Sequence, residues 1–270
     1  MWNPKVKTVT ALDRGLAVLG AVQASGGASL QGLHELTGLP KATLLRILVT
    51  LERRNLIWRR IADGHYCPGT QPPARSRQAG VNDRLAQYAA PELDRLQAEI
   101  LWPSDLAIRR GNAMVLCETN RAESYFMIRR DNIGFQVNML RSAVGQAYLA
   151  FCTDKERESI LAALRRSRRG GDAMAHDAER VAALIAGTRQ RGYGVRDQGF
   201  GGDYDKGRTE VNDRLEALAV PVMSAKGRVY GCVNIVWIQG VRTLEQMVGQ
   251  CLAPLQRTAA SIAHRMSADG

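Results

Sequence analysis

The stretch LQGLHELTGLPKATLLRILVTL, Leu30 to Leu51, decides how the chain is read. Leu33, Leu36 and Leu39, then Leu44, Ile47, Leu48 and Leu51, recur at intervals of three and four, the period of two short amphipathic helices. Gly38 marks the break between them. Pro40 lacks an amide hydrogen and disfavours helical geometry at Leu39, so it ends the first helix and suits the opening position of the second. The second helix then presents Lys41, Ala42, Thr43 and Arg46 on its leading side, residues suited to phosphates and to base edges in a DNA major groove. A helical hairpin that only packs has the same period, so the flanking sequence must separate the two readings.

On the N-terminal side, Leu12, Leu16, Leu19 and Val22 predict a helix over residues 9 to 24 with one buried face, closed by Ser25-Gly26-Gly27. Ser29 or a neighbour is placed to cap the helix that follows. On the C-terminal side, Leu56 to Ile61 and His65 to Cys67 read as two short strands joined at Asp63-Gly64, a favourable hairpin turn. That hairpin is a wing, and Arg53, Arg54, Arg59 and Arg60 gather around it. A helix-turn-helix followed directly by a basic hairpin points to DNA binding far more specifically than the helices alone. Charge agrees. The net charge is +11, and residues 1 to 80 hold 11 Lys or Arg against 4 Asp or Glu. The excess therefore travels with the helix-turn-helix, as a phosphate-rich partner requires, although a generally basic proteome contributes to the same figure.

Composition bounds the remainder. The 270 residues, 45% apolar, suffice for one large domain or two ordinary ones. No apolar run reaches the roughly 18 to 20 residues of a membrane span, and MWNPKVKTVT lacks a signal-peptide core, so a cytoplasmic protein with no membrane partner is expected. Cys67, Cys117, Cys152, Cys232 and Cys251 are scattered, with no metal-ligand spacing; reduced, mostly buried thiols are expected, with a redox switch as the alternative. His34, His65, His176 and His264 are far apart, and no Gly-x-Ser-x-Gly or phosphate-binding glycine loop occurs. No catalytic residue, cofactor or metal site is expected.

Gln71-Pro72-Pro73 sets the expected boundary, giving a DNA-binding domain over 1–73, a linker helix region over 74–100 and a third region over 101–270. In the linker, Val81, Leu85, Tyr88, Leu93, Leu96 and Ile100 are the apolar positions, and Pro91 is expected to start a new helix. Beyond Trp102, Leu106 to Arg109 and Met114 to Glu118 flank Gly111-Asn112 as a hairpin, with further strands at Tyr125 to Arg129 and Gln136 to Leu140. Helices follow at Val144 to Phe151, from an Asp154 N-cap to Arg165, and at Ala178 to Gln190. The run Arg165, Arg166, Arg168 and Arg169 reads as a solvated loop. Leu218 to Met223 and Val229 to Ile238 pair through Ala225-Lys226-Gly227, and Thr243 to Met266 is a long helix. Such hairpins and helices predict an α+β domain, an antiparallel sheet with helices packed on it.

TGLPKATLLRILVTL at 37 to 51 resembles the recognition-helix region of the IclR family of bacterial transcription regulators, with Ala42 where the family commonly has Ser. SAVGQAYLAF at 142 to 151 and LEALAVPVMSAKGRVYGCVNIV at 215 to 236 are similar to the family's effector-domain signatures. WPSDL at 102 to 106, LAFC at 149 to 152 and GCVNIV at 231 to 236 are similar to its activators of hydroxyphenylpropionate catabolism. The resemblance implies a winged helix-turn-helix domain, a GAF-like effector domain, a homodimer or dimer of dimers on double-stranded promoter DNA, and a small organic acid effector, with aromatic acids typical of the closer relatives.

The candidate DNA-binding residues are Lys41, Thr43, Leu44 and Arg46 on the recognition helix, with Arg53, Arg54, Arg59 and Arg60 on phosphates nearby. Arg46 has an alternative as the partner of Glu52. For a carboxylate effector, the start of the helix at Ser142, Ala143, Val144 and Gly145 offers backbone amides. Asn234 interrupts an apolar strand with an amide that must find a partner, in a ligand or in the backbone. Met127, Arg129, Glu210 and Asp213 are the further effector candidates. The reading is a ligand-responsive regulator of a catabolic operon; its rivals are a constitutive repressor without effector and a small-molecule-binding protein with a vestigial winged helix.

Overall fold

A computed structural model describes residues 9–69, 81–121 and 133–268. The expected Tyr125 to Arg129 strand, the Pro72-Pro73 junction, and Met127 and Arg129 lie outside these residues. The chain divides into two compact units, split between Asp83 and Arg84.

The first unit is built from α1 (Thr10–Ser25), α2 (Leu30–Thr37), α3 (Lys41–Arg53), β1 (Ile57–Arg59) and β2 (Tyr66–Pro68). Ser29 caps α2, its Oγ accepting from the Gly32 amide at 3.0 Å. Gly38 ends α2 at φ +67, a left-handed conformation that favours glycine. The turn to α3 is braced by His34, whose Nδ1 lies 2.8 Å from the Leu39 carbonyl. Leu33, Leu44 and Leu48 are fully buried in the core, with Val18 and Val22 of α1 and Ile57 and Tyr66 of the wing. Each of these leucines contributes about 1.5–3 kcal/mol by leaving water. The wing pairs Ile57 with Pro68 and Arg59 with Tyr66. Tyr66 also exchanges two backbone hydrogen bonds with Ala28, which ties the wing to the loop before α2.

Two sequence expectations are corrected here. The buried face of α1 is Val18 and Val22, while Leu12 and Leu16 stay 61% and 58% exposed. The small core reaches only the C-terminal half of this helix. In the second unit Pro91 does not start a helix: it lies inside α4 (Val81–Ile100). A proline there removes one intrahelical bond at a cost of about 3 kcal/mol. The buried face of Leu85, Ala89, Leu93 and Leu96 runs past it and offsets that cost.

The second unit holds a six-stranded antiparallel sheet in the order β5-β4-β3-β8-β7-β6. Its strands are β3 (Ser104–Arg110), β4 (Ala113–Thr119), β5 (Gln136–Asn138), β6 (Gly194–Val195), β7 (Leu215–Met223) and β8 (Val229–Ile238). The helices are α5 (Ala143–Phe151), α6 (Asp154–Arg165), α7 (Ala178–Arg191) and α8 (Leu244–Ala268), with a 3₁₀ segment at Gly170–His176. Leu215, Ala217, Ala219 and Cys232 point into a core shared with α5, α6 and α7. Strand residues of the other parity, such as Val220 and Val233, are buried on the opposite face, and α8 packs along β7 and β8. Thr153, one residue earlier than expected, caps α6 by accepting from the Glu156 amide, and Asp154 instead bonds Arg157. The five cysteines are free thiols, all buried except the half-buried Cys117. Among the described residues no helix is long and apolar enough to cross a membrane, and no three potential metal ligands gather.

Candidate DNA-binding surface and effector cavity

Helix α3 sorts the expected DNA residues by its own period. Lys41 and Arg46 are exposed and Thr43 is half-buried. Leu44 is fully buried in the unit core and is not available to DNA, a correction that follows from its place one turn before Leu48 on the inward face. Arg53, Arg54 and Arg59 are exposed at the end of α3 and on β1. Among the described residues Lys41, Arg46, Arg53, Arg54 and Arg59 form no ion pair, so the Arg46–Glu52 alternative is not realised. Arg60 differs. Its Nε and Nη2 hold Asp63, with Nε to Oδ1 at 2.9 Å, and Asp63 Oδ1 also accepts from the His65 amide at 3.0 Å. Burial raises the Asp63 pKa, but Arg60 and the His65 amide outweigh it and hold the carboxyl below its ordinary value of 3.8. Arg60 thus braces the wing turn rather than standing free for phosphate.

In the second unit β3, β4, β5, β7, β8 and the start of α5 border a partly open cavity of about 50 Å³. Of the expected effector residues, Ser142, Ala143, Val144, Asp213 and Asn234 line it. Gly145 does not, and its amide is already bonded to Ser142 Oγ at 3.1 Å. A side chain there would meet the Met139 carbonyl, since a Cβ would lie 2.2 Å from that oxygen. Glu210 is exposed and bonds Lys206 and the Gly207 amide, away from the cavity. Local pairing with residues three and four positions away holds it at the surface.

The charged lining is organised as two buried arginine–aspartate pairs, and sequence reasoning missed three of the four residues. Arg121 holds Asp105 in a fork, Nε to Oδ1 at 2.8 Å and Nη2 to Oδ2 at 2.7 Å. Thr119 Oγ1 adds a bond to Asp105 Oδ1 at 2.7 Å. Arg196 Nη2 donates to Asp213 Oδ1 at 2.7 Å and to the Phe200 carbonyl at 2.9 Å. Burial lowers the pKa of Arg196 and Asp213 opposes that shift. Asn234 Oδ1 accepts from the Asp105 amide at 2.8 Å across the β3–β8 seam, so this side chain both satisfies the backbone and faces the cavity. Leu116, Phe135, Val137, Leu215 and Val236 supply the apolar wall. A sequence signal existed for Asp105, a carboxylate in the apolar strand SDLAI that must be paired when buried.

A winged helix followed by an α+β domain with a charge-paired cavity defines the class of regulators in which a DNA-binding head is joined to an effector domain. Residues 11–60 match the IclR helix-turn-helix domain and residues 78–264 match the bacterial transcriptional regulator IclR C-terminal domain. The chain belongs to the IclR family of DNA-binding transcriptional regulators, which are not enzymes. It is 28% identical to the transcriptional regulator SauR of Cupriavidus necator over 233 residues, 84% of each chain. It is 22% identical to the Pca regulon regulatory protein of Pseudomonas putida over 269 residues, 96% of this chain and 84% of that one. Two solved structures share its fold. The Thermotoga maritima IclR has a TM-score of 0.55 at 19% identity, covering 95% of this chain and 98% of its own. An IclR homolog from Microbacterium hydrocarbonoxydans complexed with 4-hydroxybenzoate has a TM-score of 0.52 at 21% identity, covering 96% and 99%.

Proposed function

We propose that this regulator binds double-stranded promoter DNA through Lys41, Thr43, Arg46, Arg53, Arg54 and Arg59, and that a small organic acid held in the effector-domain cavity changes that binding. The observation that carries the DNA half is the set of exposed cations on α3 and β1 without a carboxylate partner among the described residues. Cations free of internal partners release counterions when phosphates replace water around them. The exposed Leu12 and Leu16 of α1 support pairing of two protomers, and so a homodimer or dimer of dimers on a palindromic site in the cytoplasm. The effector half is supported by a cavity that combines an apolar wall with the amides of Ala143 and Val144 at a helix start.

The cavity as it stands suits a short carboxylate, and the rings of Phe135 and Phe200 line it. Aromatic acids are favoured by those two rings, by the 4-hydroxybenzoate bound to the Microbacterium homolog and by the WPSDL, LAFC and GCVNIV motifs. The test is fluorescence-anisotropy binding of the full chain to its own upstream DNA at fixed salt, with and without short-chain and aromatic carboxylic acids. Operator affinity above that for random DNA, shifted by one acid, is the expected result. Equal affinity for operator and random DNA, or no shift with any acid, removes the corresponding half of the proposal.

A further inference from the structure

We infer that Arg196 is the side chain that recognises the effector's carboxylate, an inference that rests on the acid-effector reading above. The two arginines of the cavity are held differently. Arg121 is gripped through both Nε and Nη2 by Asp105, whose Oδ1 Thr119 also holds. Among the described residues Arg196 donates hydrogen bonds through Nη2 alone, to Asp213 and to the Phe200 carbonyl, and its guanidinium lies 5.0 Å from the centre of the Phe200 ring. Its Nε is buried and has no acceptor among the described residues. The residue is 7% exposed and lines the cavity. A buried guanidinium N–H without an acceptor is unfavourable until an acceptor arrives, and a carboxylate oxygen is the strongest one available.

Two cations stand here against two carboxylates, and each cation keeps one buried nitrogen unfilled among the described residues. Arg208 lies beside Arg196, its Nε donating to the same Phe200 carbonyl at 3.2 Å, and one of its terminal nitrogens is likewise buried without an acceptor. Asp213 and Glu216 hold these two cations, but each through terminal nitrogens only. The backbone closes tightly on this group. At Gly202, φ is +94 and a Cβ would lie 2.0 Å from Asp213 Oδ2, so the loop reaches the pair because no side chain intervenes. Phe200, Leu215 and Val144 complete an apolar body site next to the charge. The ligand class is therefore a monocarboxylate with a short aliphatic or aryl body, selected against its own amide.

The test is isothermal titration calorimetry on the full chain with acetate, pyruvate, benzoate, 4-hydroxybenzoate and 3-phenylpropanoate, each beside the corresponding primary amide. At least one acid binds wild type, and its amide binds about tenfold or more weakly. Arg196→Lys, which keeps the charge and loses the fork, weakens that acid about tenfold. Arg196→Gln combined with Asp213→Asn, which leaves no buried charge unpaired, binds acid and amide alike. If both variants keep wild-type affinity and acid preference, Arg196 is not the anchor, and the acid-effector reading survives without it. If no acid binds wild type, that reading fails and this inference fails with it. Should the double variant melt early, the Arg196→Lys affinity alone decides.

Discussion

Replacing Arg59 by alanine is expected to weaken DNA binding and flatten its salt dependence, while the same change at its neighbour Arg60 is not. Arg59 is exposed on β1 with no ion pair among the described residues, so its charge is available to a phosphate. Each phosphate that goes without its cation makes the slope of log affinity against log salt shallower by about 0.9, and by about 1.8 for a dimer. Over a fourfold rise from about 50 to about 200 mM salt, the variant then loses about twelvefold less affinity than wild type. Arg60 is committed to Asp63, with side chains 23% and 35% exposed. Its removal lowers stability by no more than about 1 kcal/mol, because the pair is partly exposed, and leaves the slope unchanged. The assay is anisotropy on one operator fragment at five salt concentrations, with thermal unfolding run on the same samples. Equal slopes for wild type and Arg59→Ala, or an equal flattening in Arg60→Ala, would show that internal pairing does not determine which cations meet the phosphates.

Leu44→Ala is expected to cost about 2–5 kcal/mol in the first unit, seen as a lower urea midpoint, because the side chain is fully buried. Arg46→Ala should leave that midpoint within about 0.5 kcal/mol and abolish operator preference. Arg121→Met strands the fully buried Asp105 and should cost about 3–5 kcal/mol, and adding Asp105→Leu should restore most of it; a double variant no better than the single one contradicts the pairing. The depressed pKa of Asp63 means that its contribution is present above the ordinary carboxylate value and is lost as pH falls through the folded value. Carbon-detected NMR should find the Asp63 midpoint below 3.8 in wild type and higher in Arg60→Ala. Burial raises the Cys152 thiol to about 11, so iodoacetamide at about pH 8 should leave Cys152 unmodified in the native protein, as peptide mapping would show.

What could be read from the chain was what is local. Gly38, Pro40 and the leucine spacing fix the helix-turn-helix within a few residues of one another, and Asp63-Gly64 and Gly111-Asn112 do the same for hairpins. The start of α5 was legible because Ser142 is an N-cap, with its bond to Gly145 only three residues away. The facing of α1 was not, since which apolar stripe is covered depends on how far α2 and α3 extend over it. The cavity's charged pairs were hidden for a similar reason. Arg121 and Asp105 are 16 residues apart and Arg196 and Asp213 are 17, distances at which no sequence period links a cation to its anion. Glu210 and Asp213 sit three apart between β6 and β7, outside any helix or strand, so no period said that one would face solvent and the other the cavity.

The backbone bridge between Ala28 and Tyr66 makes the wing the outer edge of a small sheet that begins before α2. A hairpin of two three-residue strands would otherwise fray in water, and the entropy of ordering it would be charged against every encounter with DNA. Anchored as it is, the hairpin is tied to the same loop that leads into α2, so the wing and the helix-turn-helix form one folded piece.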